Sequence, residues 1–140
     1  MKKKSLFDPV RGRALVDAPE ERVRRGLVDW LIAAAGVPAR LIAVEYSLSA
    51  LDPARRDRAD VVVWRPAEQG GLEPWLLAEC KAPGVKLDET TADQVRRYAG
   101  PIRAKHVLLT NGGETRCFRL EGATYVEREG LPRFPSPPEG

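Results

Sequence analysis

The 140-residue chain contains only one histidine, two cysteines and no long apolar run. The single histidine, His106, excludes most histidine-based catalysis and histidine-rich metal sites. Cys80 and Cys117 lack CxxC spacing, so we expect two buried thiols rather than a zinc site or a disulfide framework. No segment reaches the length of an apolar membrane span, and the lysines at 2–4 precede no apolar leader segment. We therefore expect a cytoplasmic protein with no membrane partner.

The residues that are present suffice for one folded domain, because 43% are hydrophobic and 31% are charged. The net charge of +3 is compatible with an anionic partner. The sequence predicts an N-terminal arm at 1–18, a folded domain at 19–128 and a proline-rich extended tail at 129–140.

Helix and strand signals alternate along the domain and predict an α/β fold. Pro19, Glu20 and Glu21 favour the start of a first helix, and Asp88 is placed to cap a second helix that ends at Gly100. Strands are predicted at 41–48, 59–64, 74–83, 106–110 and 114–120, with a further one at 123–128. The second and third strands should form a hairpin. The expected architecture is a central mixed sheet of four to five strands, flanked by helices.

The segment 74–83, PWLLAECKAP, combines an apolar strand with two charges at its end. Side chains alternate along a strand, so Glu79 and Lys81 should share a face with Trp75, whereas Cys80 points to the other face. Apolar neighbours on both faces predict a strand that is covered on both sides. Because a buried carboxylate and ammonium are costly to desolvate, we expect them to be paired or to bind a metal or a ligand.

Asp60 begins the preceding strand of the predicted hairpin and should lie near Glu79. Carboxylate oxygens, with the backbone carbonyl of Cys80, are the hard ligands that Mg²⁺ prefers. Lys81 would then orient or deprotonate a water molecule. The alternative is a structural ion pair, since Glu-x-Lys occurs in many strands by chance.

This set, Asp60 with Glu79-x-Lys81, resembles the PD-(D/E)XK nuclease superfamily, although Ala59 replaces the proline of that motif. Five ordered segments over residues 7–120 are similar to the N-terminal nuclease domain of type I restriction endonuclease R subunits: FDPVRGRALVDAPEERVRRGLVDWLI, RADVVVW, LLAECKAP, DQVRRY and HVLLTNG. The resemblance implies a restriction-endonuclease-like core that hydrolyses DNA with Mg²⁺, or with Mn²⁺ as a substitute. It also implies that the two carboxylates bind the metal and that the lysine assists the attacking water.

Two further positions gain a role from the resemblance. Glu21 resembles the acidic residue that the first helix often contributes to the site, and its alternative is a charge favoured at a helix N-terminus. Gln94 and Tyr98 resemble the Gln-Tyr motif of RecB-like nucleases, which supports the active site and contacts DNA. Their alternative is a helix surface that carries one half-buried aromatic ring.

Basic residues surround the predicted site and are candidates for phosphate contacts. Arg55 and Arg58 precede Asp60, Lys86 follows the catalytic strand, and Arg97 lies on the second helix. Such contacts add salt-dependent affinity for DNA but carry no sequence information. The alternative for each of them is an ordinary solvated side chain.

The sequence contains no Gly-x-x-x-x-Gly-Lys-Ser/Thr motif, so no nucleotide-driven motor is predicted within it. We therefore expect partner proteins to supply a motor or a recognition domain, or a homodimer to form. The alternative function is a non-catalytic module that keeps the nuclease fold and binds nucleic acid or assembles with partners.

Overall fold

The computed structural model describes residues 5–8, 13–16 and 18–135, and for the first two segments only the backbone. Positions 1–4, 9–12, 17 and 136–140 of the predicted arm and tail lie outside the described residues. The regular elements are β1 (Ser5–Asp8), β2 (Arg13–Val16), α1 (Pro19–Ala33), β3 (Ile42–Ser47), β4 (Arg58–Pro66), β5 (Leu72–Cys80), α2 (Glu89–Ala99), β6 (His106–Thr110), β7 (Thr115–Glu121) and β8 (Thr124–Arg128). The antiparallel pairing of β1 with β2 was not predicted.

One mixed sheet of six strands organises the domain, in the order β3-β4-β5-β6-β7-β8. Only β5 and β6 are parallel among these neighbours, and α2 lies in the connection between them. A parallel pair requires such a crossover, whereas short turns join β4 to β5, β6 to β7 and β7 to β8, and the longer segment 48–57 joins β3 to β4. The predicted α/β class and the hairpin of β4 with β5 are confirmed. The sheet is larger than the predicted four to five strands, because both β3 and β8 pair along its edges.

The two faces of the sheet pack on different helices. On one face, α1 buries its apolar stripe of Val23, Leu27, Val28 and Leu31. On the other face, α2 buries Ala92, Val95 and Ala99. The Asp88 side chain accepts a hydrogen bond from the Thr91 backbone N–H, which confirms the predicted cap of α2. Each helix therefore holds one surface of the strands that carry the candidate site.

Strand β5 is buried on both sides, as its sequence predicts, but Trp75 lies on a different face from the expected one. The register shifts so that Val63 pairs with Leu76 and Trp64 pairs with Pro74, which leaves Trp75 as an extra, bulged residue. Trp75 therefore packs in the α1-side cluster with Leu76. The expectation that it shares a face with Glu79 is wrong, because the bulge interrupts the alternation.

The segment after β8 returns to the core without regular structure. The backbone N–H of Phe134 donates to the carbonyl of Ala35 at 2.8 Å, and its ring meets Trp75 edge to face with centroids 5.2 Å apart. This contact anchors the first half of the predicted tail.

Among the described residues, neither helix combines the length and the apolar character that a membrane crossing requires.

Candidate active site

The start of β4 and the end of β5 place two carboxylates side by side. The hairpin ladder reaches Val61 opposite Ala78, so that Asp60 and Glu79 follow at the same end of the sheet. The Oδ2 atom of Asp60 accepts a hydrogen bond from the Cys80 backbone N–H at 2.8 Å, which fixes the carboxylate across the hairpin. The structure thus brings Asp60 and Glu79 together.

Lys81 comes directly after β5 and not within it. The sequence predicts that the strand continues to Pro83, and this boundary is wrong, because regular pairing ends at Cys80. A turn follows, and Pro83 has no backbone N–H that could donate to a neighbouring strand. The Lys81 backbone N–H still donates to the Thr110 carbonyl at 2.8 Å. Its Nζ lies 3.9 Å from Oε1 of Glu79, which is longer than a hydrogen bond. The ammonium is therefore near the carboxylate without being fixed to it.

Glu79 has an unusual protonation equilibrium. Burial and the adjacent Asp60 raise the pKa of Glu79 to about 7, and the positive charge of Lys81 only partly opposes them. The charge of the adjacent Asp60 thus opposes the ionisation of Glu79. A divalent cation would relieve this repulsion, which is a property expected of a metal-binding pair.

A buried arginine of α1 is the main counter-ion of Asp60. Only 7% of Arg24 is exposed, and its Nη2 lies 2.7 Å from Oδ1 of Asp60. Its Nη1 lies 2.6 Å from Oε1 of Glu21 and 3.6 Å from Oε1 of Glu45. Although burial opposes it, the hydrogen bond and charge of Asp60 raise the pKa of Arg24 above its ordinary value. Glu21 thus reaches the site through Arg24.

Sequence reasoning missed both Arg24 and Glu45. The available signal for Arg24 was its place beside Val23 and one turn before Val28, on the buried stripe of α1. A charged residue on such a stripe requires a buried partner. For Glu45 we find no sequence signal.

Glu45 lies in β3 at the register position facing Asp60, between the pairs Val44–Val61 and Tyr46–Ala59. Its φ of 50° is in the left-handed region, which is uncommon for a residue other than glycine.

A cavity of about 230 Å³ connects the end of β5 with α2. It brings Glu79 and Lys81 together with Gln94 and Tyr98, four residues that the sequence assigned to one site. The lining also includes Asp57, Arg58, Thr91 and Val95. Asp60 does not line this cavity, so Glu79 is the residue that joins the carboxylate pair to it.

Tyr98 is held in this cavity by Arg55. The Arg55 Nη1 donates to the Tyr98 carbonyl at 2.8 Å, and the guanidinium stacks 5.0 Å from the centroid of the Tyr98 ring. The other donors of Arg55 bind Asp57. Arg55 is therefore already occupied, and its predicted contact with phosphate stays a prediction. Burial, followed by the charge of Glu79, raises the pKa of Tyr98.

The hydroxyl of Tyr98 is buried and has no hydrogen-bond partner in the part of the chain that the structure describes.

Three other predicted phosphate contacts, Arg58, Lys86 and Arg97, are exposed to solvent. Of these, Arg58 lines the cavity, whereas Lys86 and Arg97 do not.

The donor set at the end of the sheet suits Mg²⁺ in number and chemistry. Across residues 18–135, no three side chains of His, Cys, Asp or Glu are arranged to enclose a metal ion. Mg²⁺ is commonly held by only one or two carboxylates, with waters and substrate phosphates completing the octahedron. Asp60 and Glu79 meet that requirement, although Oδ1 of Asp60 is already bound by Arg24. The Cys80 carbonyl stays a predicted ligand.

Comparison with known proteins identifies a family for most of the chain. Residues 19–135 match the family model of the type I restriction enzyme R protein N terminus. No curated protein matches the chain. The matched range contains the carboxylate pair, the lysine and the helix residues that border the cavity.

Proposed function

The chain belongs to the family of the type I restriction enzyme R protein N terminus and is thus a nuclease-related domain. From this premise, we propose that it is a Mg²⁺-dependent hydrolase of DNA phosphodiesters. The observation that carries the proposal is the meeting of Asp60, Glu79 and Lys81 at one end of the sheet. Glu79 and Lys81 face a cavity, and burial together with the charge of Asp60 raises the pKa of Glu79.

Asp60 and Glu79 would hold the divalent cation. When bound there, the cation would lower the pKa of a coordinated water and would neutralise charge that develops on the phosphate. Asp60 is fixed for this role by the Cys80 N–H. Glu79 contributes the second oxygen ligand when it is ionised.

Lys81 would orient the attacking water as an ammonium, or would accept its proton as the neutral amine. Its ammonium lies 3.9 Å from the nearest Glu79 oxygen and borders the cavity, which leaves its donors within reach of a substrate. General acid–base assistance of this kind typically contributes about 10²- to 10⁴-fold to rate.

The α2 side of the cavity would receive the DNA strand. Gln94 and Tyr98 border the same space as Lys81, and Arg58 lies at its edge. Exposed Lys86 and Arg97 would add electrostatic attraction to phosphates at a greater distance. Their charges would position the strand without selecting its sequence.

The family also suggests partners for this domain. In a type I restriction enzyme context, other subunits or domains would provide translocation and recognition, since no nucleotide-binding motor motif is present in this sequence. We propose DNA as the substrate and such proteins as the partners.

The test is nicking of supercoiled plasmid with Mg²⁺ or Mn²⁺, with EDTA in a parallel reaction. Cleavage should require the divalent cation, disappear in Asp60→Asn and fall at least about a hundredfold in Lys81→Ala. Lys105→Ala is the matched control, because Lys105 is exposed just before β6, at the opposite end from Thr110.

Equal activity in Asp60→Asn and the wild type would reject the assignment. DNA retardation in EDTA by a chain that neither binds Mg²⁺ nor cleaves would instead identify a non-catalytic binding module.

A further inference from the structure

Arg24 is the one charged side chain among the buried residues of 18–135, and the proposed hydrolysis assigns it no role. Its guanidinium lies against Asp60, which is one of the two candidate metal ligands. A permanent cation at 2.7 Å from a ligand oxygen competes with a divalent cation for the same atom. This makes Arg24 relevant to metal binding whether or not it touches DNA.

The guanidinium is held from two sides by different carboxylates. Its Nη2 binds Asp60 at 2.7 Å, with Glu20 further away at 3.8 Å. Its Nη1 binds Glu21 at 2.6 Å and lies 3.6 Å from Glu45. The contact to Asp60 therefore uses a different nitrogen from the contacts to Glu21 and Glu45.

This division makes the contact with Asp60 exchangeable. A buried arginine that loses its only partner becomes strongly destabilising, because the charge is left without compensation. Arg24 would keep Glu21 and Glu45 on Nη1 if Oδ1 of Asp60 turned to another cation. Replacing Arg24 by a metal at Asp60 would therefore rearrange an ion pair, and it would not leave the buried guanidinium without a partner.

The backbone at Glu45 supports the same interpretation. A left-handed φ in a non-glycine residue is strained and persists where surrounding structure enforces it. Here it occurs at the register position opposite Asp60, on a residue whose carboxylate approaches Arg24. The uncommon conformation thus coincides with a carboxylate that holds the guanidinium from the side of β3.

We propose that Arg24 is a resident counter-ion of the metal site: it neutralises Asp60 in the metal-free protein and releases Oδ1 of Asp60 upon metal binding, while Glu21 and Glu45 retain its guanidinium. This inference rests on the proposed function, since it requires Asp60 and Glu79 to be the metal ligands. Arg24 is then a positioning residue: it holds Asp60 and competes with the metal for Oδ1 of Asp60, which weakens metal binding.

The experiment is a calorimetric titration of the full chain with Mg²⁺ alone, in the absence of DNA. Arg24→Gln should bind Mg²⁺ at least about tenfold more tightly than the wild type, because a competing charge beside Asp60 is removed. Arg25→Gln is the matched control, since Arg25 pairs with Asp29 on the outer face of α1. Its Mg²⁺ affinity should equal that of the wild type. A purely structural role for Arg24 would lower the affinity in Arg24→Gln, so the direction of the change is diagnostic.

A second measurement uses the wild type and does not depend on whether Arg24→Gln folds. In a ¹⁵N-labelled sample, the Arg24 guanidinium signals, assigned through bonds, should shift during a Mg²⁺ titration with the midpoint found by calorimetry. The Arg25 signals should stay constant. Unchanged Arg24 signals at saturating Mg²⁺ would overturn the inference.

The outcomes separate this inference from the function on which it rests. Equal or weaker Mg²⁺ binding by Arg24→Gln, with binding abolished in Asp60→Asn, would overturn the role of Arg24 and leave the metal site intact. Absence of Mg²⁺ binding in both the wild type and Arg24→Gln would reject the metal site and the counter-ion together.

Discussion

Two clusters of acidic and basic residues in this domain shift the pKa of a glutamate in opposite directions. On β7 and β8, Glu121 binds Arg119 at 2.7 Å and also binds Arg128, and these hydrogen bonds lower its pKa to about 2. At the end of β4 and β5, burial and Asp60 raise the pKa of Glu79 to about 7. The first cluster thus stabilises the ionised form of Glu121, whereas the second destabilises the ionised form of Glu79.

The difference arises from the ratio of charges and from burial. Glu121 is surrounded by two arginines and by solvent, so its negative charge is fully compensated. Asp60 binds one buried guanidinium, which Glu21 also engages, and Glu79 has only one ammonium at 3.9 Å. A cluster with excess buried negative charge is suited to bind a cation, whereas a balanced surface cluster serves the stability of the sheet.

The pH dependence of Mg²⁺ binding should distinguish the two clusters most strongly. Glu79 must lose its proton to act as a ligand, so affinity should fall about tenfold per pH unit well below its pKa of about 7, or about fiftyfold between pH 7 and pH 5. Calorimetry across this range measures the effect. Glu121→Gln should retain the same profile, because Glu121 is already ionised. A flat Mg²⁺ affinity from pH 5 to pH 8 would remove the distinction between the clusters.

The next effect is on stability without metal. The folded pKa of Glu79 lies above its unfolded value, so ionisation penalises the folded state as pH rises through about 7. Glu79→Gln in EDTA should therefore raise the free energy of unfolding by about 1 to 3 kcal/mol at pH 8 and change it little at pH 4. Urea denaturation at both pH values measures this difference.

Glu127 on β8 provides the opposite case for that measurement. Hydrogen bonds from Arg116 lower its pKa, so its contribution to stability is present above its unfolded pKa and is lost as pH falls through the folded one. Glu127→Gln should lose about 0.5 kcal/mol at neutral pH and nothing in strong acid. The same sign of change in both variants at pH 8 would contradict the comparison.

A further contrast concerns two buried tyrosine hydroxyls. Tyr125 donates to the Ala104 carbonyl at 2.6 Å, whereas the Tyr98 hydroxyl has no partner within residues 18–135. Tyr125→Phe should lose about 1 kcal/mol of unfolding free energy, and Tyr98→Phe should change it by less than about 0.5 kcal/mol. Thermal denaturation of the two variants measures both values. A larger loss for Tyr98→Phe would show that its hydroxyl has a structural partner.

Local signals in the sequence predicted much of the fold. Pro19 and the following acidic residues predicted α1, and Asp88 predicted the start of α2. The hairpin that joins Asp60 to Glu79 also followed from local signals, because apolar strands flank a turn rich in glycine and proline.

Features that depend on contacts between distant segments could not be predicted. The bulge at Trp75 depends on how β4 pairs with β5, and the backbone of Glu45 depends on its neighbours across the sheet. The pairing of Arg24 with Asp60 joins residues 36 positions apart, through the packing of α1 on the sheet.

The most direct test of the metal site is anomalous diffraction from crystals soaked with Mn²⁺ above pH 7, where Glu79 is ionised. We expect one anomalous peak within coordination distance of both Asp60 and Glu79, and no peak there in crystals of Asp60→Asn. Mn²⁺ bound only elsewhere, or no Mn²⁺ at saturating concentration, would contradict it.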